Sequence, residues 1–93
     1  MRITFDPDKR EATLTGRGLD FAEAVEVFAA ELATAEDRRS DYGEDRFVTA
    51  GFLRGRMVVV VWTPRGDARH VISMRYAHAR EHRRWQDRVG RSG

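Results

Sequence analysis

The run Met57-Val-Val-Val-Val-Trp62 constrains this chain more than any other stretch. Six consecutive apolar residues leave no polar face at the strand period, so the element they form must be covered on both sides. The run is far too short to cross a membrane as a helix. It is therefore expected to be the central strand of a sheet. A chain of 93 residues can build one modest core around such a strand but not two. A single domain is expected over residues 1–90, with 91–93 a frayed tail.

The flanking sequence supplies the other elements. Arg2 to Phe5 alternates polar and apolar side chains and reads as a short strand. Asp6-Pro7 then opens a helix, aspartate accepting free amides as N-cap and proline fitting the first helical position; Gly16 or Gly18 should end it. A second helix is expected from Asp20, with Glu23 completing an acidic capping box. Phe21, Ala24, Val25, Phe28, Ala29 and Leu32 follow helical spacing and define its buried face. The segment from Glu31 to Ala35 is ambiguous, and Asp37 to Asp45 reads as a polar loop. Arg46 to Phe52 is a strand, Arg54-Gly55 a tight turn and Thr63 to Asp67 another turn. Arg69 to Arg75 is the next strand, and a helix runs from about Ala77 to Val89.

This order predicts an α+β fold: an antiparallel sheet of four to five strands, two N-terminal helices and one C-terminal helix. The helices gather on one face and leave the other, or part of it, as an open polar surface carrying arginines. On the last strand, alternation puts Ile72 and Met74 on one face and Arg69, Ser73 and Arg75 on the other. Val71 shares the polar face, so the segregation is imperfect.

Charge is distributed unevenly. Residues 1–45 hold 6 basic and 12 acidic side chains, whereas residues 46–93 hold 11 and 3, and a basic half of this kind can neutralise phosphates. Arginine outnumbers lysine 16 to 1, which a GC-rich genome alone would produce, so clustering is more informative than abundance. With no cysteine, disulfide and thiol chemistry are excluded. The opening MRITFDPDK has no apolar signal segment, and a cytoplasmic protein without membrane attachment is expected.

With these elements placed, the chain resembles the BrnT family of toxins from type II toxin–antitoxin systems, over about Thr4 to Trp85. The similarity rests on FDPDK followed by GLDFAEAVEVF, then GEDR, Gly51, MVVVVWT and Arg65, and finally RHVISMRYAHAREHRRW. No one piece is diagnostic; their order and spacing are. The resemblance implies a RelE-like fold and a ribonuclease that arrests growth by cutting RNA. It also implies a BrnA antitoxin whose ribbon-helix-helix domain binds the operon promoter, so that promoter DNA is reached only through the antitoxin. No cofactor is implied.

Metal-independent RNA cleavage uses the ribose 2′-hydroxyl as nucleophile and needs cations around the charged transition state. Arginine suits that task because its planar fork meets two phosphate oxygens at once. The family positions carry over to Arg46, Arg65, Arg69, Arg75 and Glu81 as candidate catalytic residues, and Arg17, Ser73, Arg80 and Arg84 are candidate RNA contacts. If Arg69 and Arg75 share a strand face, they can share one RNA segment. Two roles stay open for Arg75 and Glu81, since a salt bridge docking the last helix would look the same in sequence. Arg65 in its turn can equally be only exposed, Arg80, Arg83, Arg84 and Arg88 can form a solvated helix face, and Trp85 is expected to pack against the sheet.

The sequence also departs from the family. Gly16 and Arg17 stand where Lys-His is usual, and Thr13 replaces an asparagine. A toxin-like module that binds its antitoxin without cutting RNA is therefore the alternative. The string His78-Ala-Arg-Glu81-His82 matches an inverted zinc-protease motif, but such motifs find their third ligand much further along the chain, only eleven residues follow His82 and none beyond Asp87 can ligate, so no metal site is expected.

Overall fold

The computed structural model describes residues 1–91, with side chains described as far as Asp87. Five strands form one sheet: β1 (Arg2–Phe5), β2 (Glu31–Glu36), β3 (Phe47–Leu53), β4 (Arg56–Arg65) and β5 (Ala68–Tyr76), in the order β1-β5-β4-β3-β2. Three α-helices accompany them: α1 (Pro7–Arg17), α2 (Ala24–Ala29) and α3 (Ala79–Arg91). The class is α+β, as expected, and the MVVVVW run lies in the central strand β4. No helix of the described residues is long and apolar enough to cross a membrane. Of the tail at 91–93, Arg91 closes α3 and the other two residues lie outside the described part.

The sheet is mixed rather than antiparallel. β1 pairs with β5 in parallel, Arg2 opposite Ala68 through Phe5 opposite Val71, and the other three pairings are antiparallel. The two short-turn connections, β3 to β4 and β4 to β5, are antiparallel as hairpins must be. Nothing local dictates the direction of β1, because its partner lies at the far end of the chain.

α1 forms as its sequence directs. Asp6 accepts from the Asp8 amide at 2.8 Å, Pro7 occupies the first turn, and Gly18 closes the helix in the left-handed region with its N–H on the Leu14 carbonyl. The second helical region is shorter than its periodicity suggests. Asp20 caps it through the Ala22 amide, but Phe21–Glu23 is a 3-10 turn and α2 ends at Ala29. Glu23 does not close a capping box and pairs instead with Arg54. Leu32 leaves the helix altogether, because residues 31–36 pair along the edge of β3 as β2. Tertiary hydrogen bonding to an open strand edge overrides the helical pattern there.

The helices do not gather on one face. α2, with Leu19 and the 3-10 turn before it, covers one face, where Leu19, Phe21, Ala24, Val27 and Phe28 pack on Leu53, Val58, Val60, Trp62, Val71 and Met74, while α1 beside them buries no residue. The buried Trp62 indole donates to the Thr49 hydroxyl at 2.9 Å, so its polar edge is satisfied. α2 lies so close that a Cβ on Gly51 would run into the Val27 carbonyl, which is why β3 carries a glycine there. α3 docks on the opposite face, with Trp85 against Ala50 and Met57 and with Leu32, Val48 and Phe52 beside them. It covers only part of that face.

A bulge decides what β5 shows to each side. The β4 and β5 register shifts between Val61 and Trp62: Val61 lies opposite Ser73 while Trp62 lies opposite Val71, leaving Ile72 as the extra residue. An extra residue inverts the facing of everything beyond it. Val71 and Met74 therefore share the core face, rather than Ile72 and Met74. Arg69 and Arg75 fall on opposite faces rather than one. The anomalous Val71 in the alternation is the trace of this bulge.

Candidate functional site

The uncovered part of the α3 face is a pocket of about 380 Å³. Its floor is the sheet, with Val48 from β3, Val59 and Val61 from β4, and Ser73 and Arg75 from β5. One wall is α3, with Glu81, Arg84 and Trp85, and the other is the start of the β2–β3 loop, with Asp37, Arg38 and Arg39.

Arg75 is held in a fixed orientation. Its Nη1 and Nη2 donate to the two carboxylate oxygens of Glu81 at 2.6 and 2.7 Å, an end-on fork. Glu81 also accepts the His78 amide at 3.0 Å, which satisfies the first turn of α3 as the acidic half of a capping box does. One carboxylate thus docks α3 and aligns Arg75. The Arg75 hydrogen bonds hold Glu81 down to about 2, with the His78 amide helping and partial burial opposing. Arg75 is shifted up by the same pairing. A carboxylate so placed is a poor proton acceptor near neutrality, because an effective base titrates near the working pH.

A second pair faces it. Arg39 donates from Nε and Nη2 to the two oxygens of the buried Asp37, both at 2.9 Å, and the Tyr42 hydroxyl donates to the same carboxylate at 3.3 Å. Asp37 is held at about 2, chiefly by Arg39. Neither residue stands out in the sequence, where the loop reads only as polar; the one available signal is an acid–arginine spacing of two beside a strand.

The remaining candidates are dispersed. Ser73 is half-buried on the pocket floor and Arg84 is exposed on its α3 wall. Arg80 is exposed on α3, and the side chain of Arg88 lies outside the described residues. Arg69 is on the helix-covered face, its guanidinium 4.6 Å from the Phe28 ring centre and 4.2 Å from that of Trp62. Arg46 stacks on Tyr42 at 3.9 Å and lies 3.5 Å from Glu44, which Arg65 also approaches, at 3.9 Å. Those two arginines therefore share one acid and stay out of the pocket lining. Arg17 donates to the Met74 carbonyl at 3.0 Å, on β5 beyond the point where β1 stops pairing. It braces the segment between Ser73 and Arg75 from the other side. Gly16 is exposed.

The histidines stand apart from this chemistry. His78 and His82 are exposed on α3, Glu81 between them is engaged with Arg75, and no group of three metal-ligating side chains occurs among the described residues. His70 is bonded to the Thr4 hydroxyl at 2.8 Å, and burial pushes its pKa down.

Fold and pocket together define a small α+β protein that presents anchored arginines over an apolar strip of an open sheet face. The model of the family described as ribonuclease toxin, BrnT, of type II toxin–antitoxin systems matches residues 5–81. The chain belongs to that family, which makes it a ribonuclease toxin with RNA as its substrate class and an antitoxin as its partner. No individual curated protein matches it by sequence.

Proposed function

We propose that this toxin cleaves RNA in the pocket between α3 and the β2–β3 loop, by attack of a ribose 2′-hydroxyl on the adjacent phosphate, without a metal ion. The 2′-oxygen gives up its proton to solvent and bonds to phosphorus, the P–O5′ bond breaks, the 5′-oxygen takes up a proton from solvent, and a 2′,3′-cyclic phosphate remains. The observation that carries this reading is Arg75, presented by the sheet floor and aligned by Glu81. A fixed guanidinium stabilises the charge that develops on the phosphate oxygens without reorganising during the reaction. Arg84 adds a second cation at the rim, and Ser73 offers a hydroxyl on the floor. Glu81 acts through Arg75 in this scheme. Arg46, Arg65 and Arg69 lie outside the pocket lining; the first two supply positive charge along the flanking edge, for the RNA beyond the cut.

The partner in this reading is a BrnA-type antitoxin with a ribbon-helix-helix domain. It carries the complex to promoter DNA, and both proteins work in the cytoplasm. The test is incubation of purified toxin with labelled RNA in EDTA. Cleavage with cyclic phosphate ends, abolished by a deoxyribose at the cut and by Arg75→Ala, is expected. Intact RNA over a wide titration would overturn the reading.

A second reading is favoured by one observation. Where the family usually has Lys-His, Gly16 offers no side chain and Arg17 is engaged with the Met74 carbonyl. If that pair is needed for cleavage, the chain is a weakened toxin that retains its antitoxin surface. Restoring Lys-His at positions 16 and 17 would then raise cleavage, and no increase would dismiss this alternative.

A further inference from the structure

The wall opposite Arg75 carries an arginine that the reading above does not use. Arg39 is paired with Asp37 through one edge of its guanidinium, Nε and Nη2, and its Nη1 has no partner among the described residues. Asp37 is an unusually firm anchor. Only 2% of its side chain is exposed, and it also accepts from the Arg39 amide and the Tyr42 hydroxyl. Arg39 itself is 76% exposed, so its free edge is turned to solvent while its base is fixed. Arg75 lines the same pocket and is likewise anchored by its own carboxylate, though end-on through Nη1 and Nη2 of its guanidinium.

Arg38 and Arg84 line the same gap, so four guanidiniums stand against the carboxylates of Glu36, Asp37 and Glu81, and the excess positive charge favours an anion there. Beside Ser73 and Arg75, the floor of that gap is aliphatic, made by Val48, Val59 and Val61. The volume of this half-open pocket, about 380 Å³, falls at the small end of small-ligand pockets, which run from about 300 to 1,000 Å³. An apolar floor with a cation at either end matches a nucleotide unit, whose base is flat and weakly polar on its faces and whose phosphates flank it. In a duplex those base faces are covered by stacking, so only an unpaired nucleotide can lay one on the floor.

We propose that Arg39, oriented by Asp37, is a second substrate-positioning residue. Its free edge takes the phosphate next to the one at Arg75, and the pocket between them accepts a single unpaired nucleotide. This rests on the ribonuclease reading above and adds to it a phosphate contact and a preference for single strands. Because both arginines are held by their own carboxylates, they bind through geometry, with little rotamer freedom left to lose.

The test uses a short unstructured oligoribonucleotide, for cleavage in its all-ribose form and for equilibrium binding in a 2′-O-methyl form that cannot be cut. Both are measured alone and annealed to a complementary strand. With the wild-type protein, the single strand should be cleaved and bound at least about tenfold better than the duplex. Arg39→Gln should raise KM at least about tenfold, change kcat less than about threefold, and lower the log–log salt slope of binding by about 0.7. Arg39→Lys should keep the slope and recover only part of the affinity. Asp37→Asn should weaken binding with the slope retained, its folding checked by a urea midpoint. If wild-type protein cleaves RNA while Arg39→Gln leaves KM and slope unchanged, or if duplex is cut equally well, this inference falls and the ribonuclease reading stands. If the wild type neither binds nor cleaves the single strand, both fall.

Discussion

On the covered face of the sheet, Arg69 holds its guanidinium over the rings of Phe28 and Trp62, with no carboxylate in ion-pair range among the described residues. On the open face, Arg75 from the same strand is gripped end-on by Glu81 above a pocket. One side chain serves packing through its stem and its cation–π contact; the other presents N–H donors to whatever enters. The difference shows that arginine content says little about a phosphate site. What separates the two roles is which side of the sheet the backbone shows them to and what neutralises them there.

Deleting each arginine in turn should separate the two faces. Arg75→Ala should lower RNA cleavage about 100- to 1,000-fold, the loss seen when one preorganised donor to a developing charge is removed. Arg69→Ala should leave cleavage within about threefold of wild type. Equal losses in single-turnover assays would mean that the two faces are not functionally distinct.

The covered face can be broken alone. Gly51→Ala forces a methyl group toward the Val27 carbonyl under α2, and overpacking of this kind costs about 1–3 kcal/mol. A lowered urea midpoint is expected; an unchanged midpoint would show that α2 can shift away freely.

The open face should be the more acid-sensitive of the two. Glu81 is held at about 2 against an ordinary 4.5, so its stabilising contribution is complete above about pH 4.5 and fades as pH falls toward 2. Glu81→Gln should remove part of that slope, on the order of 1–2 kcal/mol once solvent screening is allowed for. Urea titrations between pH 2 and 5 measure it, and parallel curves for the two proteins would count against the pairing. Smallest of all, Arg69→Met, which keeps most of the stem but loses the cation, should cost about 0.5–1 kcal/mol at pH 7. A loss above about 2 kcal/mol would indicate a buried ionic role instead.

Much of this architecture was legible locally. The MVVVVW run had to be a central strand because it has no polar face, and it is. Asp6-Pro7 and Gly18 bound α1 as capping chemistry requires, and Gly55 sits in the β3–β4 turn at positive φ. The candidate site was legible in part: Arg75 and Glu81 were singled out with both a structural and a chemical role open, and the geometry shows the ion pair between them that docks the last helix. Asp37 and Arg39 were not legible, because a polar loop shows nothing of which of its acids will be buried.

Neighbours along the chain fix four of the five strands, the hairpin turns, the caps at Asp6 and Asp20, the α+β class and the family to which the chain belongs. Tertiary structure alone decided the rest. It set the parallel pairing of β1, the early end of α2 where residues 31–36 join the sheet edge, and the docking of α3 on the face away from α1 and α2. Above all it decided the facing of β5. Side chains alternate along a strand only while its hydrogen-bond ladder is unbroken, and the single extra residue at Ile72 is specified by pairing with β4 rather than by β5 itself. That one residue turned Arg69 toward Phe28 and Trp62 on the covered face and left Arg75 over the pocket.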